Sequence, residues 1–321
     1  MVRHRIVALD SWVKPQPMNF EYDVTIHDKT TPDALPERMK DATIVTTSGT
    51  KVTRAGIEAA PNLKLIAING TGSDHVDKVA AQERGVAVCH VPAQNTESVS
   101  EHAFALYYGL RRRLLPMHEL TVGGDTWSNS PLHTKLGPPP RTNTEETLVV
   151  VGYGALGKKV EQIGKALGME VLIAERKGAQ VVRAGRTPFQ EAIGRGTVFI
   201  LVAPLDDGTF RMIGAAEFAA MQSTAFVINV GRGATVEERA LAQALKDGQI
   251  GGAATDVYEH EPATKDSCPL LDPSIPNLIL SPHIAWYSSK TIKGTLATVK
   301  TNLEAFAAGK PVNVVVSGSK L

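Results

Sequence analysis

Short apolar runs alternate with stretches of helical periodicity along almost the whole chain. Among the first hundred residues, Ile6-Val7-Ala8-Leu9, Ile44-Val45, Leu65-Ile66-Ala67-Ile68 and Val86-Ala87-Val88-Cys89 read as strands, with helices over 54–60 and 76–83 between them. Such alternation predicts a small parallel-sheet domain, because each parallel pair needs a crossover connection. Ser98-Val99-Ser100-Glu101 then has the form of a capping box and opens an apolar helical pattern that continues through Leu115. It predicts one long helix entering a second domain. Residues 123–144 are rich in Gly, Pro, Ser and Thr, include Pro138-Pro139-Pro140, and predict a loop or arm.

The second domain opens with Leu148-Val149-Val150-Val151 as a strand, a glycine-rich turn, and a helix over 155–167. Further strands are predicted at Val171-Leu172-Ile173, Val198-Phe199-Ile200-Leu201, Phe226-Val227-Ile228, Ala253-Ala254-Thr255 and Leu278-Ile279-Leu280, with helices between most of them. A closing helical pattern over 289–308, ended by Gly309 and Pro311, predicts a return to the first domain. The expected division is therefore 1–98 with 289–321, and 99–288.

Composition agrees with two domains, since 321 residues exceed one ordinary core. Apolar residues make up 43% and charged residues 21%, the balance of a soluble globular enzyme. The net charge is +1, and the one dense basic run, Arg111-Arg112-Arg113, ends a helical pattern, where cations favour the helix dipole. A nucleic-acid partner is not expected. Cys89 and Cys268 have no paired spacing, so neither a disulfide framework nor a cysteine-based zinc site is expected and reduced thiols fit better; no metal is expected. The apolar run at 6–9 is too short for a signal-peptide core, and no stretch reaches membrane-spanning length. The chain ends Ser319-Lys320-Leu321, the form of a peroxisomal import address. A peroxisomal location and an import receptor as partner are expected; if the tripeptide is coincidental, the location is cytoplasmic.

Four segments carry chemistry. Gly152-x-Gly154-x-x-Gly157 follows a strand and opens a helix, the context in which this fingerprint binds a dinucleotide. Gly152 permits the tight turn, Gly154 lets the backbone approach the pyrophosphate, and Gly157 permits close helix–strand packing. Ala155 and Leu156, at the helix start, join these glycines in the cofactor set, because helix N-termini present N–H groups to phosphate. Glu175, at the end of the next strand, can accept hydrogen bonds from adenosine ribose hydroxyls and would repel a 2′-phosphate, whereas Arg176 and Lys177 could hold one. NAD(H) is favoured, and NADP(H) is the alternative.

Downstream stand Arg232 in Asn229-Val230-Gly231-Arg232-Gly233, Glu261 in Asp256-Val257-Tyr258-Glu259-His260-Glu261-Pro262, and His283 in Ser281-Pro282-His283-Ile284-Ala285-Trp286. Singly these could be a surface arginine, a loop acid and a core histidine. Together, near strand ends in a dinucleotide domain, they are what reduction of a 2-oxo acid requires: a fixed guanidinium, a proton donor and an anion that keeps the donor protonated.

With these motifs in order, the chain resembles the D-isomer-specific 2-hydroxyacid dehydrogenase family over nearly its whole length. Asn69-Gly70-Thr71-Gly72 with Asp74-His75-Val76-Asp77, and Asn95-Thr96-Glu97-Ser98-Val99, are similar to that family's substrate-domain signature. The resemblance implies that Arg232 binds the substrate carboxylate and carbonyl, that His283 is the proton donor or acceptor, and that Glu261 pairs with His283. It also implies that Asp256 holds the nicotinamide carboxamide, with Val230 beside the cofactor, and that the backbone at Gly70, Thr71 and Gly72 receives the substrate carboxylate. The expected fold class is α/β with two doubly wound parallel sheets, a Rossmann cofactor domain and a discontinuous flavodoxin-like substrate domain. A homodimer is implied.

Trp286 departs from the many members with glycine near that point, and resembles the glycerate dehydrogenase-like and corepressor-like branches; it could close the substrate pocket apolarly. Glu261 stands where the formate dehydrogenase branch carries glutamine, which argues against formate oxidation. The expected activity is hydride transfer between a nicotinamide cofactor and a small 2-oxo or D-2-hydroxy acid, hydroxypyruvate or glyoxylate foremost. The alternatives are a reductase of bulkier aromatic 2-oxo acids and an NAD(H)-sensing, corepressor-like interaction protein.

Overall fold

The computed structural model describes residues 3–11, 16–124 and 138–319. The chain divides into two compact units, 1–95 with 287–321, and 96–286.

The first unit is a six-stranded sheet. Its strands are β1 (His4–Ala8), β2 (Tyr22–Ile26), β3 (Ile44–Thr47), β4 (Leu65–Ile68), β5 (Ala87–Cys89) and β12 (Val314–Val316), in the order β12-β5-β4-β3-β1-β2. All neighbours run parallel except β12, which is antiparallel to β5. The parallel part has the flavodoxin-like order, with its switch point between β1 and β3. Successive strand residues face opposite sides. Val7, Val45, Ile66 and Val88 pack against α1 (Leu35–Met39), α2 (Arg54–Glu58) and α3 (Lys78–Glu83). Ile6, Ile44, Leu65 and Cys89 meet Val299, Leu303 and Phe306 of α10 (Ser289–Ala307) on the other side. Burial on both faces is why these strands read as unbroken apolar runs. The edge strand β2 and the three-residue β12 carry no such signal: residues 23–26 are exposed, and only Val316 of β12 is buried.

The second unit holds β6 (Thr147–Val151), β7 (Glu170–Ile173), β8 (Val198–Leu201), β9 (Phe226–Asn229), β10 (Gly252–Thr255) and β11 (Leu278–Leu280), in the order β11-β10-β9-β8-β6-β7. Every pair is parallel. Beyond β7, Ala174 and Thr187 form a single parallel bridge, so a further strand is reduced to one residue pair. The order reverses between β6 and β8, where an open α/β sheet places its ligand crevice. One face packs on α4 (Thr96–Arg111) and α6 (Ala155–Ala166) through Phe104, Tyr107, Leu110 and Val160. The other packs on α7 (Phe189–Arg195), α8 (Ala215–Ala220) and α9 (Glu238–Lys246) through Phe189, Ile193, Phe218, Leu241 and Leu245.

Two local expectations are corrected. The long helix through Leu115 is broken: α4 ends at Arg111, Arg113 takes φ 51°, and α5 (Leu114–Val122) begins anew with none of its residues buried. A left-handed residue cannot continue a right-handed helix. The capping box at Ser98 is also absent, because α4 already starts at Thr96. Ser98 instead donates its hydroxyl to the Trp286 carbonyl at 3.3 Å, and Ser100 donates to Glu97 O at 2.8 Å. Most of the expected arm, residues 125–137, and Lys320 and Leu321 of the terminal tripeptide lie outside the described residues. No helix among the described residues is long and apolar enough to cross a membrane.

Candidate active site

The glycine turn is dictated by close backbone approach. Gly152 has φ 98°, and a Cβ there would lie 2.6 Å from the Ala203 nitrogen. A Cβ on Gly157 would lie 2.2 Å from the Gly152 oxygen, so only glycine lets α6 start this close to β6. Gly154, the N-cap of α6, is different: a Cβ there would meet nothing within 4 Å. Gly152 and Gly157 are demanded by the protein itself, whereas Gly154 faces open space at the N-terminus of a 12-residue helix. Ala155 is exposed there and Leu156 is half-buried. This is the cradle that a pyrophosphate fits, with N–H groups and helix dipole directed at it.

Arg232 follows β9 between two glycines that are again obligatory. A Cβ on Gly231 would lie 2.9 Å from Ala203 O, and one on Gly233 would lie 1.9 Å from the Tyr258 carbonyl carbon. Val230 is buried beside them, and Arg232 Nη1 donates to Gly231 O at 2.8 Å. The close contact at Gly233 joins the arginine loop to the segment that carries Glu261. There the Tyr258 N–H donates to Glu261 Oε1 at 2.9 Å, leaving Oε2 to meet His283 Nδ1 at 2.6 Å.

The His283 turn is fastened from below. His283 has φ 52°, and its N–H donates to Asp256 O at 2.7 Å. The Asp256 carboxylate is buried and accepts from Ser281 Oγ at 2.5 Å, Ile284 N at 2.9 Å and Ala285 N at 2.8 Å. His102 of α4 reaches the same group, with Nε2 3.0 Å from Ser281 Oγ and 3.6 Å from Asp256 Oδ1. The Trp286 indole N–H donates to His283 O at 2.8 Å. These bonds over-determine a backbone conformation that a non-glycine residue adopts only when held.

Electrostatics follow from this geometry. The Glu261 hydrogen bond, reinforced by its charge, outweighs burial and the nearby Arg232 cation and holds the His283 imidazole above the ordinary histidine value. Burial pushes the Glu261 carboxyl up, but His283, the Tyr258 N–H and Arg232 together hold it below its ordinary value. Each shift favours the charged form, carboxylate for Glu261 and imidazolium for His283. With Nδ1 engaged by Glu261, Nε2 is the nitrogen left to carry a transferable proton, on a side chain that is 42% exposed.

The structure thus brings Arg232, Glu261, His283, Asp256 and Trp286 together in the second unit. Asp256 lies beneath the histidine turn rather than on its surface, and the polar atom of Trp286 is spent on the His283 carbonyl. Gly70, Thr71 and Gly72 lie in the first unit, after β4. There Thr71 donates its hydroxyl to Val91 O at 2.9 Å, and a Cβ on Gly70 would meet nothing within 4 Å.

Glu175 follows Ala174 at the end of β7, with Arg176 exposed beside it, but Glu175 is not free. Its carboxylate accepts from Arg176 N at 2.8 Å, from Arg183 N at 3.0 Å and from the Arg183 guanidinium. Lys177 is turned away: its Nζ donates to Met212 O at 2.9 Å and pairs with the buried Glu217 at 2.6 Å. Sequence reasoning does not single out His102 or Arg183, because each reads as one more polar residue on a helix or in a loop.

The family described as D-isomer specific 2-hydroxyacid dehydrogenase, NAD binding domain, matches residues 104–285. The glycerate dehydrogenase of Methylorubrum extorquens is 37% identical over 309 residues, covering 96% of each chain. Among solved structures, the D-lactate dehydrogenase of Aquifex aeolicus with NAD and lactic acid superposes with a TM-score of 0.83 at 27% identity, covering 92% of this chain and 93% of that one. The NADPH-dependent glyoxylate/hydroxypyruvate reductase of Sinorhizobium meliloti, with NADP and malonate, gives 0.78 at 26% identity and 98% coverage of both.

Proposed function

The chain belongs to the D-isomer-specific 2-hydroxyacid dehydrogenase family, and on that premise we propose that it reduces a small 2-oxo acid, hydroxypyruvate or glyoxylate foremost. It is an oxidoreductase acting on CH–OH donors. The observation that carries the reading is the 2.6 Å contact of Glu261 with His283, next to Arg232. The Gly152–Gly157 turn would hold the pyrophosphate of a reduced nicotinamide cofactor, which would supply hydride to the carbonyl carbon when bound. His283 Nε2 gives its proton to the carbonyl oxygen and becomes neutral, while Glu261 keeps the ring oriented through Nδ1. Arg232 stabilises negative charge as it develops on that oxygen and matches a carboxylate bidentately. In the reverse direction the neutral imidazole takes the proton from the hydroxyl. The substrate assignment is supported by the glycerate dehydrogenase and the glyoxylate/hydroxypyruvate reductase among the relatives.

NADH is the favoured cofactor. The Arg183 contact and two backbone N–H groups hold Glu175 ionised at the strand end, well below the usual carboxylate range. The Glu175 anion disfavours a 2′-phosphate, and the Arg183 guanidinium paired with it offsets part of that charge. A homodimer is supported by α5, on which Leu114, Leu115 and Val122 are 52%, 54% and 73% exposed. Sedimentation at micromolar concentration tests it, and a monomer would overturn it. The peroxisomal location rests on the terminal tripeptide. The chain is fastened up to Ser319, whose N–H donates to Gly85 O at 3.2 Å. Deleting residues 319–321 should leave purified activity unchanged and move a fluorescent N-terminal fusion from puncta to cytosol; a cytosolic intact fusion would overturn the location.

A steady-state screen of glyoxylate, hydroxypyruvate, pyruvate and phenylpyruvate with NADH and NADPH tests the activity. The highest kcat/KM is expected for hydroxypyruvate or glyoxylate. A preference for phenylpyruvate would replace this reading with the aromatic one, and no turnover on any of the four would overturn it.

A further inference from the structure

The segment from Glu175 to Thr187 is a closed loop with the Glu175 carboxylate as its hub. Glu175 N donates to Thr187 O and Thr187 N to Ile173 O, both at 2.8 Å, which joins the loop ends. Inside the loop Arg183 supplies most of the donors to the carboxylate. Its N–H reaches Oε2 at 3.0 Å, its Nε lies 3.1 Å from Oε1 and 2.8 Å from Oε2, and its Nη2 bonds Oε1 as well. The Arg176 N–H adds a donor at 2.8 Å. A carboxylate offers about four lone-pair sites. Those of Glu175 are taken by its own loop, and the residue is 4% exposed.

The cations of this loop are disposed differently. Lys177 is neutralised by Glu217. The Arg183 side chain stays 53% exposed although it pairs with Glu175, and the Arg176 side chain is exposed. Arg186 lies over the ring of Tyr153, the residue between Gly152 and Gly154, with its guanidinium carbon 4.3 Å from the ring centre. Of the guanidinium groups in this loop, that of Arg183 is the one bonded to the Glu175 carboxylate. The carboxylate is enclosed, whereas the Arg176 and Arg183 side chains are exposed.

We propose that Arg183 is a specificity-determining residue for the adenosine end of the cofactor, acting by occupying the Glu175 acceptors and presenting its own guanidinium in their place. The proposal rests on the nicotinamide reading above and deepens it. Ribose hydroxyls need free acceptors on Glu175, which Arg183 now takes. A 2′-phosphate needs a planar cation, which Arg183 provides bidentately. Discrimination between NADH and NADPH is then set by the pair, and its two members pull in opposite directions. Glu175 favours NADH, and Arg183 moderates that preference.

The test is equilibrium binding of NADH and NADPH, read by the change in their fluorescence at fixed ionic strength, for the unmodified protein and for Arg183→Gln, Arg183→Lys and Glu175→Gln. Arg183→Gln frees the carboxylate and removes the cation. It should raise the ratio of the NADPH Kd to the NADH Kd by about tenfold, the size of one charge-assisted contact. Glu175→Gln should move the ratio the other way, and Arg183→Lys should fall between unmodified protein and Arg183→Gln. If Arg183→Gln and Glu175→Gln weaken both cofactors in parallel, Arg183 only orders the loop and the proposal is overturned. A ratio that moves in the same direction for both variants overturns it too. Failure of the unmodified protein to bind either nucleotide would instead overturn the nicotinamide reading itself.

Discussion

Two carboxylate–cation pairs in the second unit share a construction and differ in what they can do. Glu261 accepts the Tyr258 N–H on one oxygen and His283 on the other; Glu175 accepts the Arg176 and Arg183 N–H groups and the Arg183 guanidinium. Backbone donors fix both anions, so each serves as a rigid support for its cation. The cations differ in kind. Imidazolium can release its proton near neutral pH, and guanidinium cannot. The first pair is therefore suited to acid–base work and the second to recognition. Exposure agrees with that division. The Glu261 and His283 side chains are 35% and 42% exposed, so protons can be exchanged with solvent; the Glu175 side chain is 3% exposed, and its arginine partner reaches outward. Where an enzyme places an anion matters less here than which cation it is made to hold.

Removing the titratable cation breaks the comparison most sharply. His283→Ala should lower kcat by roughly 10²–10⁴-fold, the usual contribution of a general acid, while the Kd for NADH stays within a few-fold. Near-unmodified turnover would mean that His283 is a structural residue held in place for another reason. A smaller effect is expected from Glu261→Gln, and its signature lies in pH. Reduction needs the imidazolium, so activity is present below the His283 pKa and lost as pH rises through it. Glu261 raises that pKa, and its loss should therefore shift the falling limb of the kcat profile to lower pH. Arg183→Gln should leave that limb unmoved, because the charged groups acting on His283 are Glu261, Arg232 and Asp256. A limb that moved with Arg183→Gln and not with Glu261→Gln would reverse the assignment of the two pairs.

The two pairs are not equally legible in the sequence. The motifs around Glu261 and His283 carry a family resemblance that implies their pairing, although 22 positions separate them. Glu175 is marked by its place at the end of a strand, but nothing in the sequence marks its partner Arg183. Only eight residues separate them, yet those residues form an irregular loop whose path follows from the single bridge at Thr187, and no periodicity announces such a bridge. The same limit applies to the fold. Strands buried on both faces announce themselves as apolar runs, whereas β2 and β12 do not, because edge strands mix polar and exposed positions. Asp256 shows the complementary case. Its motif is recognisable and implies a ligand contact, while its burial and its bonds to Ile284 and Ala285 depend on a turn that the sequence does not describe.

The smallest expected effect separates holding the histidine from charging it. The Trp286 indole N–H donates to the His283 carbonyl at 2.8 Å, and its ring packs against the core formed by α4 and β6. Trp286→Phe keeps an aromatic ring and removes one neutral hydrogen bond, a net contribution of about 0.5–1.5 kcal/mol. If that bond only helps to keep His283 at φ 52°, kcat should fall by about tenfold or less, and the pH limb should stay where it is. Glu261→Gln must then differ from Trp286→Phe in the shape of the pH profile and not merely in size, because one changes the charge felt by the imidazole and the other only its orientation. Measuring kcat against pH for both variants and for the double variant gives the answer. Additive losses with a shift contributed by Glu261→Gln alone would show that orientation and protonation of His283 are controlled from opposite ends of the residue. A shift with Trp286→Phe would mean that loosening the turn also loosens the contact with Glu261, and that the two controls are one.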